Sequence, residues 1–200
     1  RGMAGEPLRV VAAAGLAAIV GSIGRSPDAT PSALARYDAV VRQLAEELPA
    51  VLPARFGTCV SREELASILA ARADSLSRAL RHVRGRAQMT VRVTADQGFG
   101  VKEPESRVTR ASSGTSYLRQ RAALDARARE VVGFEPLRSA VKRWIRDERV
   151  EKGDRIATIY HLVPRASAAA YTRALQAAAI RTGTPIVVSG PWPPYAFTQA

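Results

Sequence analysis

A single cysteine, Cys59, and two histidines, His82 and His161, are all the thiol and imidazole that 200 residues provide. One cysteine excludes an internal disulfide, and two histidines so far apart make no metal-ligand spacing. Pairing Cys59 with either histidine as nucleophile and base finds no elbow or oxyanion motif to support it. Beside an expected strand, Cys59 reads instead as a buried, inert thiol. No glycine-rich loop ends in Lys-Ser or Lys-Thr, so a phosphate cradle of that kind is absent. No apolar run approaches the roughly 18 residues of a membrane span; Val10 to Val20 is too short and too rich in Ala and Gly. The same stretch lacks a secretory n-region and cleavage pattern. These absences point to a reducing, cytoplasmic setting, no membrane, no metal, no cofactor and no enzymatic residue set.

Lysine is scarce too, occurring only at positions 102, 142 and 152, so the net charge of +12 is carried almost wholly by arginine. Such a charge invites a nucleic-acid reading. The arginines are spread along several expected helix surfaces rather than gathered in a block, and the Ala-rich, Arg-rich skew resembles the bias of a GC-rich genome. The segment Gln97-Gly98-Phe99-Gly100-Val101-Lys102 is similar to an RNA-binding strand, but it lacks the leading basic residue and the second aromatic needed to stack bases. A basic nucleic-acid-binding module remains the rival reading, favoured by charge alone.

What is present is periodicity. Leu8 to Val11 and Ala17 to Ile23, separated by Gly15, predict a hairpin. Thr30 before Pro31 predicts a helix start, and Leu34, Tyr37, Val40/Val41, Leu44 and Leu48 carry that helix to about Leu48. Val51 to Phe56 reads as a strand whose Arg55 faces away from Phe56. Ser61 and Glu64 have the spacing of a capping box, opening a second helix with Leu65, Ile68/Leu69, Leu76, Leu80 and Val83 on one face. Met89, Val91 and Val93 alternate with polar residues as in a half-buried strand. Residues 1–94 therefore read as a ferredoxin-like α+β domain lacking its first strand. Residues 95–113 turn polar and read as a linker. Residues 114–200 read as a second α+β domain: a long helix from Tyr117 that is interrupted near Gly133, a strand over Ile156 to Val163, a helix from Ser167 to Gly183, and a last strand over Thr184 to Ser189.

The final segment, Gly190-Pro191-Trp192-Pro193-Pro194-Tyr195-Ala196-Phe197, has three prolines in four positions interleaved with rings. The prolines fix φ and remove donors, so no helix or central strand continues through them. A stiff segment bearing large rings loses little entropy on docking. The expectation is a tail that folds back, with Trp192 and Tyr195 packed between the last strand and the helix beginning near Tyr117.

That tail resembles the C-terminal signature of the GvpL/GvpF family of gas vesicle proteins. Two upstream stretches agree in order: Pro53-Ala54-Arg55-Phe56-Gly57-Thr58 is similar to the family's Pro-x-Arg-Phe-Gly-Thr segment, and Gly114 to Arg121, with Tyr117 and Leu118, to the start of its long helix. Tyr160-His161-Leu162-Val163 is a weaker match. Gln88, where relatives carry Glu, and Cys59, where an aliphatic is usual, depart from the pattern, as does a start at Arg1 without the family's opening strand. The resemblance implies two ferredoxin-like domains and a non-enzymatic accessory or minor structural role in gas vesicle formation. It also implies binding to the shell protein GvpA and to other gas vesicle accessory proteins. Pro53, Arg55, Phe56, Gly57, Tyr117, Leu118, Gly190, Pro191, Trp192, Pro193, Pro194, Tyr195 and Phe197 are its structural or interface candidates.

Overall fold

The computed structural model describes residues 1–94, 131 and 133–198. The chain is mixed α/β, with a two-stranded and a four-stranded sheet among the described residues. Its contacts group residues 1–88 with 191–200 as one unit and 89–190 as the other.

The first unit opens with the hairpin β1 (Leu8–Ala13) and β2 (Leu16–Gly21), antiparallel with Val10 opposite Ile19. Ala14 and Gly15 both adopt positive φ, 50° and 74°, the geometry a two-residue hairpin turn requires. Helix α1 (Pro31–Glu47) begins where expected, with the Thr30 side chain accepting from the Ala33 amide and Pro31 in the first turn. Helix α2 (Arg62–Ala71) has the full capping box: Ser61 Oγ accepts from Glu64 N at 3.1 Å, and Glu64 Oε2 accepts from Ser61 N at 2.8 Å. The single helix expected from Ser61 to Val83 is broken at Arg72, and α3 (Ala73–Val83) follows. Arg72 itself has φ −111° and ψ 14°, outside the helical region, and is exposed. The strand expected over Val51 to Phe56 is also absent. Pro53 removes a ladder donor there, and the chain instead closes a turn in which Thr58 N donates to Arg55 O at 3.1 Å.

Among the described residues of the second unit the order of strands and α-helices is strand, helix, strand, strand, helix, strand. These are β3 (Arg86–Thr94), α4 (Glu135–Val141), β4 (Asp147–Lys152), β5 (Ile156–Pro164), α5 (Ala168–Thr182) and β6 (Ile186–Trp192), with sheet order β4-β5-β3-β6. Strand β3, assigned from sequence to the first domain, thus pairs with strands of the second half. It is not half-buried as its alternation suggested. Gln88, Met89, Thr90 and Val91 are all buried, and the expected alternation appears only at the end of the strand, where Arg92 and Thr94 are exposed. Strand β4 escaped the sequence reading: five of its six residues are charged, a composition that suits a sheet edge. Met89, Val91, Phe134, Leu137, Val141, Ile159, Val163, Tyr171 and Leu175 form the core of this unit. Helix α5 ends at Gly183 with φ 65°, as the sequence predicted, although Ser167 provides no side-chain cap. The polar stretch 95–113 and the helix start at Tyr117 and Leu118 lie outside the described residues.

Candidate functional site

Three of the family-motif residues, Phe56, Trp192 and Tyr195, meet side chains of α1. Tyr37 and Asp38 are neighbours on that helix, and Arg42 follows Asp38 by one turn. Phe56 meets Tyr37 edge to face with ring centroids 5.6 Å apart, while the Tyr37 hydroxyl donates to the carbonyl of Ala54. Pro53 is buried beside them. Gly57 has φ 80°, and its carbonyl accepts from Ser26 Oγ at 3.2 Å. Arg55 carries the turn through its carbonyl, which accepts from both the amide and the hydroxyl of Thr58. Its guanidinium is exposed and makes no ion pair with a described residue.

The tail reaches the same helix. Tyr195 donates its hydroxyl to Asp38 Oδ1 at 2.8 Å, and the other oxygen of Asp38 takes Arg42 Nε at 2.5 Å. Arg42 in turn lies over the Trp192 ring, 3.9 Å from its centroid. Burial, the Asp38 carboxylate and the nearby Tyr37 hold the Tyr195 hydroxyl well above the usual phenol range. Ala196 N donates to the buried Gln88 Oε1 at 2.8 Å. Gly190 adopts φ 118°, Pro193, Pro194 and Phe197 are buried, and Pro191 is exposed. Sequence reasoning ended the second domain at 200 and placed Trp192 and Tyr195 against the helix from Tyr117. Among the described residues their partners are Arg42 and Asp38, and residues 191–200 group with the first unit; the helix from Tyr117 lies outside the described residues. Asp38 and Arg42 went unnoticed because, on an amphipathic helix, an i,i+4 charge pair reads as an exposed face.

A second polar cluster was missed altogether. His161 lies on the inward face of β5 with Ala157, Ile159 and Val163, fully buried. Its Nδ1 is 2.6 Å from the Tyr171 hydroxyl of α5, and its Nε2 is 2.8 Å from Glu148 Oε2 of β4. Arg138 of α4 grips Glu148 with Nε at 2.9 Å and Nη2 at 3.2 Å, and reaches Glu135 with Nη1 at 2.5 Å. Burial holds His161 below the usual imidazole range, partly opposed by its bond to Glu148. Burial alone would raise the Glu148 carboxyl, but bonds from His161 and Arg138 outweigh it and hold it low. The signal available in the sequence was a histidine at an inward position of an otherwise apolar alternation, which demands a partner.

Tyr171 hydrogen-bonds to His161 and Tyr195 to Asp38, and burial raises both phenols above their usual range, which keeps them protonated rather than nucleophilic. Cys59 is exposed rather than buried, and the strand expected beside it does not form. Among the described residues no group of three or more His, Cys, Asp or Glu could hold a metal ion, and no helix is long and apolar enough to cross a membrane.

The sequence model of the family described as Gas vesicle synthesis protein GvpL/GvpF matches residues 1–199. The chain belongs to the GvpL/GvpF gas vesicle protein family, which ties it to gas vesicle formation. Its fold is similar to that of the crystal structure of the gas vesicle protein GvpF from Anabaena sp. PCC7120, with TM-score 0.72 and 14% identity over 100% of this chain and 91% of that one. It is likewise similar to GvpF from Microcystis aeruginosa, with TM-score 0.75 and 14% identity over 100% and 92% of the two chains. No curated protein matches.

Proposed function

We propose that this chain is a non-enzymatic accessory or minor structural protein of the cytoplasmic gas vesicle, which binds the shell protein GvpA and other gas vesicle accessory proteins. The observation that carries the reading is the family match along residues 1–199. The strand order of the second unit supports a ferredoxin-like topology for it, since a split βαβ pattern generates such interleaving. The first unit is the proposed binding half. On one face of its hairpin the register aligns Leu8 with Gly21, Val10 with Ile19 and Ala12 with Ala17, a strip of uncharged residues bordered at Gly21 by the Glu6 carboxylate. Val10 is 65% exposed and Ile19 36%. A shell subunit bound for an air interface carries apolar surface before incorporation, and an uncharged strip suits it.

The test is capture of purified GvpA by the full chain and by its Val10→Asp/Ile19→Asp variant. Both substituted side chains are exposed, so the variant is expected to melt like the parent while losing capture. Equal capture by both would move the binding face elsewhere, and no capture by the parent would remove the proposed partner.

A further inference from the structure

We propose that His161 is an acid-sensitive latch for the second unit: its protonation uncouples α4 and α5 from the β4–β5 hairpin. The argument rests on hydrogen-bond accounting. With the ring neutral, Nε2–H donates to Glu148 and Nδ1 accepts the Tyr171 O–H, and every buried side-chain polar atom among the described residues has a partner. Adding a proton puts a donor on Nδ1, facing a hydroxyl that must now accept. The Tyr171 hydroxyl hydrogen then loses its acceptor inside a core lined by Phe134 and Tyr171, where an orphaned donor is costly.

Charge works in the same direction. Among the described residues, the titratable or charged groups facing the ring are Glu148 from β4, Arg138 and beyond it Glu135 from α4, and Tyr171 from α5. Strand β3 adds only Met89, Val91 and Val93 to this core. Glu148 favours an imidazolium, but its oxygens are already held by the Arg138 guanidinium, and a second cation would share one carboxylate in a desolvated site. The four elements joined here are α4, α5, β4 and β5, so loss of the chain of bonds loosens all of them together.

The sign follows from linkage. A histidine held below its unfolded value binds its proton more readily in the unfolded chain. Its contribution is therefore complete above about pH 6.5 and is lost as pH falls from there through the folded value. For one proton the folding equilibrium shifts by up to about tenfold per pH unit in that window.

The test is an NMR titration of the two imidazoles in the full chain, with His161→Gln and His82→Gln to assign them, alongside thermal melts between pH 7.5 and pH 5. His161 is expected to stay neutral below pH 6.5 as the Nε2–H tautomer, while amide protection in β4 and β5 falls with acid. The acid-dependent loss of Tm over this range should be much smaller in His161→Gln and unchanged in His82→Gln. Titration of His161 at or above 6.5 in the folded chain would overturn the proposal, as would an unchanged acid profile in a folded His161→Gln. If His161→Gln fails to fold, the wild-type titration and exchange data decide alone.

Discussion

Gly57 and Tyr195 show how single residues hold the first unit. Gly57 sits at φ 80°, a region that costs a residue with a Cβ roughly 1–2 kcal/mol. An added Cβ would lie 3.6 Å from Ser26 Oγ, so space is not the obstacle and the backbone is. Gly57→Ala is therefore expected to lower stability by about 1 kcal/mol, read from denaturant midpoints, with Gly57→Asn recovering part of it because Asn tolerates the left-handed region. Equal midpoints for all three chains would refute the strain argument. Tyr195→Phe removes the donor to Asp38 and is expected to cost roughly 1–2 kcal/mol, since the acceptor is ionised and partly buried. In an Asp38→Asn background most of that cost should vanish. A double-mutant cycle showing no coupling between the two positions would mean that the hydrogen bond contributes nothing in solution.

Elements differ in how openly the sequence declared them. Thr30 with Pro31, and Ser61 with Glu64, announced α1 and α2 because capping needs particular side chains at fixed offsets. Removing the box by Ser61→Ala is expected to lower stability by about 1 kcal/mol, while Ser67→Ala on the same helix should cost little; thermal melts compare them. The hairpin was legible from two apolar runs around Gly15. Strand β4 was not, because Asp147-Glu148-Arg149-Val150-Glu151-Lys152 has no apolar alternation, and pairing with β5 alone defines it. The break at Arg72 was invisible because propensity favours an unbroken helix through Ala70-Ala71-Arg72-Ala73, and no Gly or Pro marks the position. The site followed the same logic. Phe56, Gly57, Trp192 and Tyr195 stood out as rings and glycine among prolines, whereas Asp38, Arg42, Glu148 and His161 acquire meaning only from partners far away in sequence. Trp192 is half-buried under Arg42, so Trp192→Ala is expected to cost about 2 kcal/mol, less than a fully buried ring. A variant that melts like the parent yet no longer captures the shell protein would turn the tail from a packing element into a binding surface.

At the scale of the molecule, the +12 charge and the uncharged strip of the hairpin make opposite claims about partners. The described arginines are dispersed over helices, strands and turns, whereas Val10 and Ile19 present apolar surface at one place. A partner held by charge would be released by salt, because neutralising phosphates releases counterions and makes affinity fall steeply with log[salt]. A partner held by apolar burial would stay. The same chain therefore gives two distinct titration curves for two classes of partner. The most direct measurement is the capture of purified GvpA by the full chain at low and at high salt, with single- and double-stranded nucleic acid as competing ligands. The account predicts that GvpA is captured almost equally at both salts and that nucleic acid neither binds at high salt nor displaces it. Failure to capture GvpA at either salt, together with nucleic-acid binding that disappears as salt rises, would contradict it.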